Sequence, residues 1–450
     1  MIGLNKIGLN QVQLNRLRLN APFPAYGKMA GGGGSGDGFP QLPGDVTRWH
    51  FGGLTNEMMA AMDDPRIEDA DHKGRFLSFK NFAWKEGSGI SDVYPGALVF
   101  DGVDDRGTCD NFPVLTKEKG YTVVALRQWD QDFLNTTLTG GLLSTRNYST
   151  GEGVAFEKIE SSNKGYWNLG AGGIIDFAKS PFTWQTSKQY NNVGILKGDK
   201  NHGKPLCVGC GLSGGQQCGR FAIWELVFLD HDATEEELTK IKDYFVKTYP
   251  WLFPDQAWTV VGKTNEDEDR ATIANITGNG NDLVCLNLGF IEGSGYNEEG
   301  EYAGYLVTDG VDDKITSSTF EMGNDWTVIG DWELINTGKN DNAGIVKFDS
   351  IVIYNYNPIL INIKNGRNNL IPDQNTVNAI CSDGRIYSKD WKESIYNEET
   401  ESTSKNLLTI GYSGNSYTKI AFKNLAIYPT VLSKEDCIKA YNYLQTLKAK

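Results

Sequence analysis

Positive charge is what this sequence has least of. Its 43 Lys and Arg face 57 Asp and Glu, for a formal net charge of −14. A surface that grips phosphates needs the opposite balance, so nucleic acid is not an expected partner. No apolar run approaches the roughly 20 residues that cross a bilayer, so membrane insertion is not expected either. Met1 to Lys6 show no continuous hydrophobic stretch and no small-residue cleavage site, and a secretory signal is not expected. The only histidines are His50, His72, His202 and His231. There is no His-Glu-x-x-His. There is also no Glu-apolar-Asp-x-x-Glu strand of the kind that sets a glycosidase nucleophile and acid on one face. The chain is therefore expected not to be an enzyme, and no catalytic residue is assigned. Seven cysteines, scattered from Cys109 to Cys437, do not make a disulfide framework. Buried thiols in a chain made in a reducing cytoplasm are the expectation.

What is present is repetition. Trp49 and Trp258 each stand six positions before a triplet, Thr55-Asn56-Glu57 and Thr264-Asn265-Glu266. Glu86-Gly87-Ser88-Gly89 is then matched by Glu292-Gly293-Ser294-Gly295. Gly96 to Asp105, ending Asp101-Gly102-Val103-Asp104-Asp105, matches Gly304 to Asp313, ending Asp309-Gly310-Val311-Asp312-Asp313. Apolar runs follow at Tyr121 to Val124 and Trp326 to Ile329, and later at Phe221 to Leu229 and Ile420 to Tyr428. Each copy closes on a predicted helix with a Thr234 or Ser433 cap and an acid three residues on, Glu237 or Asp436. The expected buried stripes are Leu238, Ile241 and Phe245, and Ile438, Tyr441 and Leu444. A chain of 450 residues has room for two cores. Many short alternating segments between Gly, Asn, Asp and Ser suit packed antiparallel sheets.

The expected fold class is all-β: two tandem antiparallel jelly-roll sandwiches, each with a short C-terminal helix, after a repetitive N-terminal arm. The boundaries are residues 1–40 for arm and tether, 41–253 for the first sandwich and 254–450 for the second. Pro250-Trp251-Leu252-Phe253-Pro254 is expected to wedge between the sandwiches and hold them in a fixed pairing. In the arm, Leu4, Leu9, Leu14 and Leu19 are each followed by Asn, a period of five. Two apolar residues per unit suit short β segments with corners, and four units are too few to bury a core alone. Before Asp37 every charge is positive (Lys6, Arg16, Arg18 and Lys28), and Gly31 to Gly36 reads as a tether. The arm is expected to anchor through these leucines; a disordered tail is the plain alternative.

Leu98-Val99-Phe100-Asp101-Gly102-Val103-Asp104-Asp105 and Leu306 to Asp313 resemble the Phe-Asp-Gly-x-x-Asp hairpin of laminin-G-like, concanavalin-type domains. The closing strand and capped helix fit the same family, and the resemblance spans nearly everything but the arm. In the second copy Thr308 stands where Phe100 does, so its hairpin is expected to pack differently. An arm and glycine tether ahead of such modules also resembles fibre and structural proteins of tailed phages, notably those of gut Bacteroidales. That resemblance implies a non-enzymatic virion component, made in the host cytoplasm. Its partners would be capsid, portal or tail proteins through the arm, host-surface glycans, and further copies of itself. A bacterial cell-surface adhesin that binds carbohydrate is the alternative, and a glycan-cleaving enzyme a third.

Four constellations are candidate sites. Asp101, Asp104 and Asp105, with Asp309, Asp312 and Asp313, could offer oxygens to Ca²⁺. The reading preferred on spacing is that Asp101 and Asp309 cap tight turns while the others face solvent, with no cofactor required. Cys207, Cys210 and Cys218, with His202, could bind zinc or exchange disulfides. The matching stretch Leu407 to Tyr417 has no cysteine, which favours a structural role. Glu225 is a lone acid in an apolar strand where the second copy has Asn424. Trp167, Trp184, Tyr354 and Tyr356 could stack on sugar rings, although the same alternation describes half-buried strands.

Overall fold

The structure is a computed structural model that describes residues 37–113, 120–145, 205–212, 216–335, 377–395, 406–413 and 416–449. It also gives the backbone of the strands lying between Ala155 and Thr186 and between Gly344 and Ile371. Leu4, Leu9, Leu14 and Leu19 lie outside the described residues, as do Tyr356 and His202.

The fold is all-β, as the alternating segments require. A six-stranded sheet runs Phe182–Thr186, Thr122–Trp129, Arg220–Leu229, Leu98–Asp101 and Gly89–Ile90, with Val46–His50 also paired to Arg220–Leu229. It faces a ten-stranded sheet that includes Phe76–Lys80, Arg106–Cys109, Gly140–Ser144 and Leu206–Val208. The second copy repeats the pairing with two eight-stranded sheets, in which Ile420–Tyr428 lies beside Thr327–Leu334 just as Arg220–Leu229 lies beside Thr122–Trp129. The longest strands are central because each is apolar on both faces.

Alternation along those strands feeds two cores. Inward residues such as Trp49, Phe100, Phe221 and Leu226 pack between the first pair of sheets. Trp258, Leu306, Phe422 and Leu425 do the same in the second. Outward residues build a third core shared by both copies. Short helices Asn56–Ala60 (α1) and Gln131–Leu134 (α2) cap loops of the first copy. The long helices Glu235–Thr248 (α3) and Lys434–Leu444 (α4) lie in the shared core. The layers are thus sheet, sheet, helices, sheet, sheet. Pro250–Leu252 forms a 3-10 turn, with Trp251 and Leu252 buried among both copies' residues.

Thr234 and Glu237 form the reciprocal cap of α3, with the hydroxyl accepting from the Glu237 amide and the carboxylate from the Thr234 amide. At α4 the Ser433 hydroxyl accepts from the Asp436 amide but donates its own proton to the Asp436 carboxylate. The stripe expected on α4 is displaced. Cys437, Ala440, Tyr443 and Leu444 are buried, while Ile438 and Tyr441 are half-buried. Small Cys437 and Ala440 let the helix approach the sheet, and a larger side chain there would hold it off.

Both central strands carry a bulge at the same place. Pairing slips between Ile223 and Glu225 in one copy, and between Asp331 and Trp332 opposite Asn424 and Phe422 in the other. The extra residue is Trp224 or Lys423. A bulge re-aims the side chains beside it, here placing Glu225 and Asn424 on the face that meets the helices.

Candidate functional site

The motifs that betray the duplication meet at one rim of each sandwich. Asn56 clamps the Gly89–Ile90 strand, donating to the Ile90 carbonyl and accepting from its amide, both at 2.8 Å. Gly89 has φ +146, and a Cβ there would lie 2.3 Å from the Asn56 amide oxygen, so only glycine fits. Ser88 accepts from the Ala83 amide at 2.9 Å and donates to Asp105 at 3.0 Å. The other Asp105 oxygen accepts from the Asp101 amide at 3.0 Å. Asp101 in turn accepts from the Val103 and Asp104 amides at 2.7 and 3.3 Å, closing the turn.

The second copy reproduces this network. Asn265 clamps Tyr296, and Ser294 donates to Asp313 at 2.8 Å. Asp313 accepts from the Asp309 amide, and Asp309 from those of Val311 and Asp312. The capping role expected for Asp101 and Asp309 is observed. Asp105 and Asp313, expected in solvent, are instead fully buried, because their carboxyls are the posts to which Ser and the turn amide tie. Only Asp104 and Asp312 are exposed.

In each copy the three carboxylates bring oxygens within 4.8 Å of one another. Both Asp105 oxygens and one Asp101 oxygen already serve protein donors, and burial pushes the Asp105 carboxyl up to about 7. The first-copy carboxyls thus have few oxygens left for a cation that takes six to eight, whereas in the second copy both donors share one Asp313 oxygen and the other is buried without a partner. Because the folded state holds this proton more tightly than the unfolded chain, Asp105 stabilises most below its ordinary value of 3.8, and the contribution is lost as pH rises through about 7. Asp105→Asn should therefore flatten the fall in urea midpoint between pH 5 and pH 8. An unchanged slope would show that another group sets it.

The larger electrostatic feature is in the first copy alone. Arg48 and His50 point outward from Val46–His50 beside Glu225, and α3 lies over them. Glu225 is fully buried and accepts from Arg48 at 3.1 Å, Tyr244 at 3.0 Å, Tyr249 at 2.9 Å and His50 at 2.9 Å. Arg48, also fully buried, donates to the Tyr244 hydroxyl and to Asp37, and packs on the Phe39 ring. Burial works against the Arg48 charge, but Glu225, Tyr244 and Asp37 more than offset it and raise its pKa. Burial and then the Glu225 charge hold the Tyr244 and Tyr249 hydroxyls protonated. A carboxylate already holding four donors is not poised to take a proton from substrate. The cluster is an ion-pair core that straps the first described residues, Asp37 and Phe39, to the sandwich. Ala257, Thr259 and Asn424 occupy the Arg48, His50 and Glu225 positions in the second copy, and neither amide atom of Asn424 is hydrogen-bonded.

No family model matches this chain. No curated protein matches it either. Among solved structures it is similar to a Trypanosoma rangeli sialidase in complex with sialic acid, at 9% identity over 84% of this chain and 68% of that one, with a TM-score of 0.32. It is similar also to the receptor binding domain of botulinum neurotoxin D, at 11% identity over 80% of this chain and 96% of that one, with a TM-score of 0.32.

The remaining sequence candidates are dispersed. Trp167 ends the strand Lys164–Trp167 of the ten-stranded sheet, whereas Trp184 lies in Phe182–Thr186 of the six-stranded one, opposite Val124. Tyr354 ends Ile351–Tyr354 in the second copy. Their side chains lie outside the described residues. Cys207, Cys210 and Cys218 do come together, but not as free thiolates that could hold zinc. Cys210 and Cys218 face each other across a hairpin and are joined as a disulfide. The other five cysteines are buried thiols, in line with the expectation for most of the seven. At the equivalent hairpin the paired positions are Tyr412 and Tyr417, whose rings lie 4.8 Å apart. One neck is closed by a covalent bond and the other by an aromatic contact.

Proposed function

We propose that this chain is a non-enzymatic binding and scaffolding protein, a fibre or decoration component of a virion anchored by residues 1–20. The observation that carries this reading is how the duplicated rim uses its polar groups. Most are spent on one another, and what each turn tip exposes is a valine beside one aspartate. Val103 and Val311 occupy equivalent turn tips and are the most exposed large apolar side chains among the described residues, at 74% and 71%. Two matched apolar contacts on one rigid body suit a repeated partner, a protein lattice or a glycan surface, better than a single small substrate. Glu225 supports the same reading, since the one fully buried glutamate among the described residues is saturated by donors.

Deleting residues 1–36 leaves Asp37 paired with Arg48, so the truncated chain should keep its melting temperature yet fail to join particles. Normal incorporation would overturn the anchor. A second reading, a carbohydrate-binding adhesin on a bacterial surface, is favoured by the Cys210–Cys218 bond, since disulfides persist in oxidising surroundings. Mass spectrometry of purified particles against envelope fractions separates the two.

A further inference from the structure

We propose that Cys207, Cys210 and Cys218 form a thiol–disulfide exchange site, in which one disulfide can occupy either of two pairs and so sets the state of the hairpin beside the Asp101–Asp105 turn. The three residues form a buried cluster of their own, apart from the main cores. Cys210 and Cys218 lie opposite each other on the strands Cys210–Leu212 and Gln216–Cys218, and Cys207 precedes them on Leu206–Val208. Leu206 and Val208 point into the core, so Cys207 points the other way, under the hairpin. The hairpin sits tightly on its support: a Cβ at Gly141 would lie 2.0 Å from the Gly211 amide nitrogen. Cys207 thus keeps a reduced sulfur against an existing disulfide, the arrangement in which exchange needs no outside oxidant.

The chemistry balances within the chain. The Cys207 thiolate attacks the Cys210 sulfur, the Cys207–Cys210 bond forms and the Cys210–Cys218 bond breaks. Cys218 leaves as a thiolate and takes up the proton that Cys207 gave up. Cys-x-x-Cys spacing accommodates the product. The step also frees the hairpin, because the bond that closes its neck becomes one between its base and the preceding strand. The Cys210 sulfur lies 3.5 Å from the Asp105 carbonyl oxygen, which sets the hairpin against the rim described above. Burial pushes the Cys207 thiol up to about 11, so exchange is slow near neutrality and should quicken about tenfold per pH unit as the thiolate fraction grows. In the second copy Tyr412 and Tyr417 close the neck without sulfur, which restricts the device to the first copy.

The test incubates the full chain for one fixed, short time with oxidised and reduced glutathione, after which it is quenched with acid, alkylated in denaturant and mapped by peptide mass spectrometry. In the wild type at pH 7 the Cys210–Cys218 pair should dominate, and at pH 9 a Cys207–Cys210 fraction should appear. Cys218→Ser should shift the disulfide wholly to Cys207–Cys210, whereas Cys207→Ser should leave Cys210–Cys218 as the sole pair at both pH values. The wild-type arm stands even if a variant fails to fold. Recovery of only Cys210–Cys218 in the wild type at pH 9 overturns the proposal, as does finding Cys207 and Cys210 both alkylated in folded Cys218→Ser under oxidising buffer.

Discussion

Glu225→Ala lowers the stability of the chain by about 3–5 kcal/mol in urea unfolding, because it strands the Arg48 charge in a site with no solvent. Arg48 and Glu225 are both fully buried, and their mutual bond is what makes either tolerable there. Removing the carboxylate also takes the acceptor from Tyr244, Tyr249 and His50 at once. Asp37 cannot replace it, since its own carboxylate is partly in solvent and engages the other guanidinium nitrogen. The controls separate charge from volume. Glu225→Gln keeps the shape and some acceptors and should lose less. Replacing both partners at once, Arg48→Met with Glu225→Leu, should recover most of the loss, since a buried pair is often worth no more than apolar residues of its volume. A loss under about 1 kcal/mol for Glu225→Ala would mean that the two charges are solvated after all.

Trp224→Ala costs about 3–5 kcal/mol and loosens the two copies from each other. Trp224 is the bulge residue of the first central strand, fully buried, with its indole donating to the Pro95 carbonyl at 2.9 Å. Its ring meets Tyr443 of α4 edge-on, and Tyr443 in turn donates to Gln128 of the first copy. The wild-type chain is expected to unfold in one calorimetric transition, because its halves share a core instead of a linker. Trp224→Ala should split that transition in two. A single transition at a slightly lower temperature would place the coupling elsewhere, with Trp251 and Leu252 the next residues to test.

What could be read from the sequence was whatever repeats or alternates. Trp49 and Trp258, the paired helix caps and the two Asp-Gly-Val-Asp-Asp turns stand where the pattern implied, because each is a local device whose partners lie a few dozen residues away or in the matching copy. The burial of Asp105 and Asp313 was not legible, since it depends on Ser88 and Ser294 arriving from another loop. The Arg48–Glu225 pair spans 177 positions, and no spacing rule reaches that far. A clue did exist: an arginine and a glutamate each interrupt an apolar strand in one copy, where the other has Ala257 and Asn424. Thr308, expected to pack differently from Phe100, does so by hydrogen-bonding the Thr418 carbonyl and the Ile420 amide, where Phe100 stacks on Phe221.

The helical layer has a bearing on how the molecule is made. Chains leave the ribosome N-terminus first, and a self-sufficient leading domain can finish folding while the rest is still being translated. Here the leading sandwich is completed by a residue far downstream, for Tyr443 is what covers Trp224. Until that helix emerges, the leading sandwich presents an uncovered apolar face. Nascent chains stalled shortly before Lys434 should therefore bind chaperones that finished chains do not.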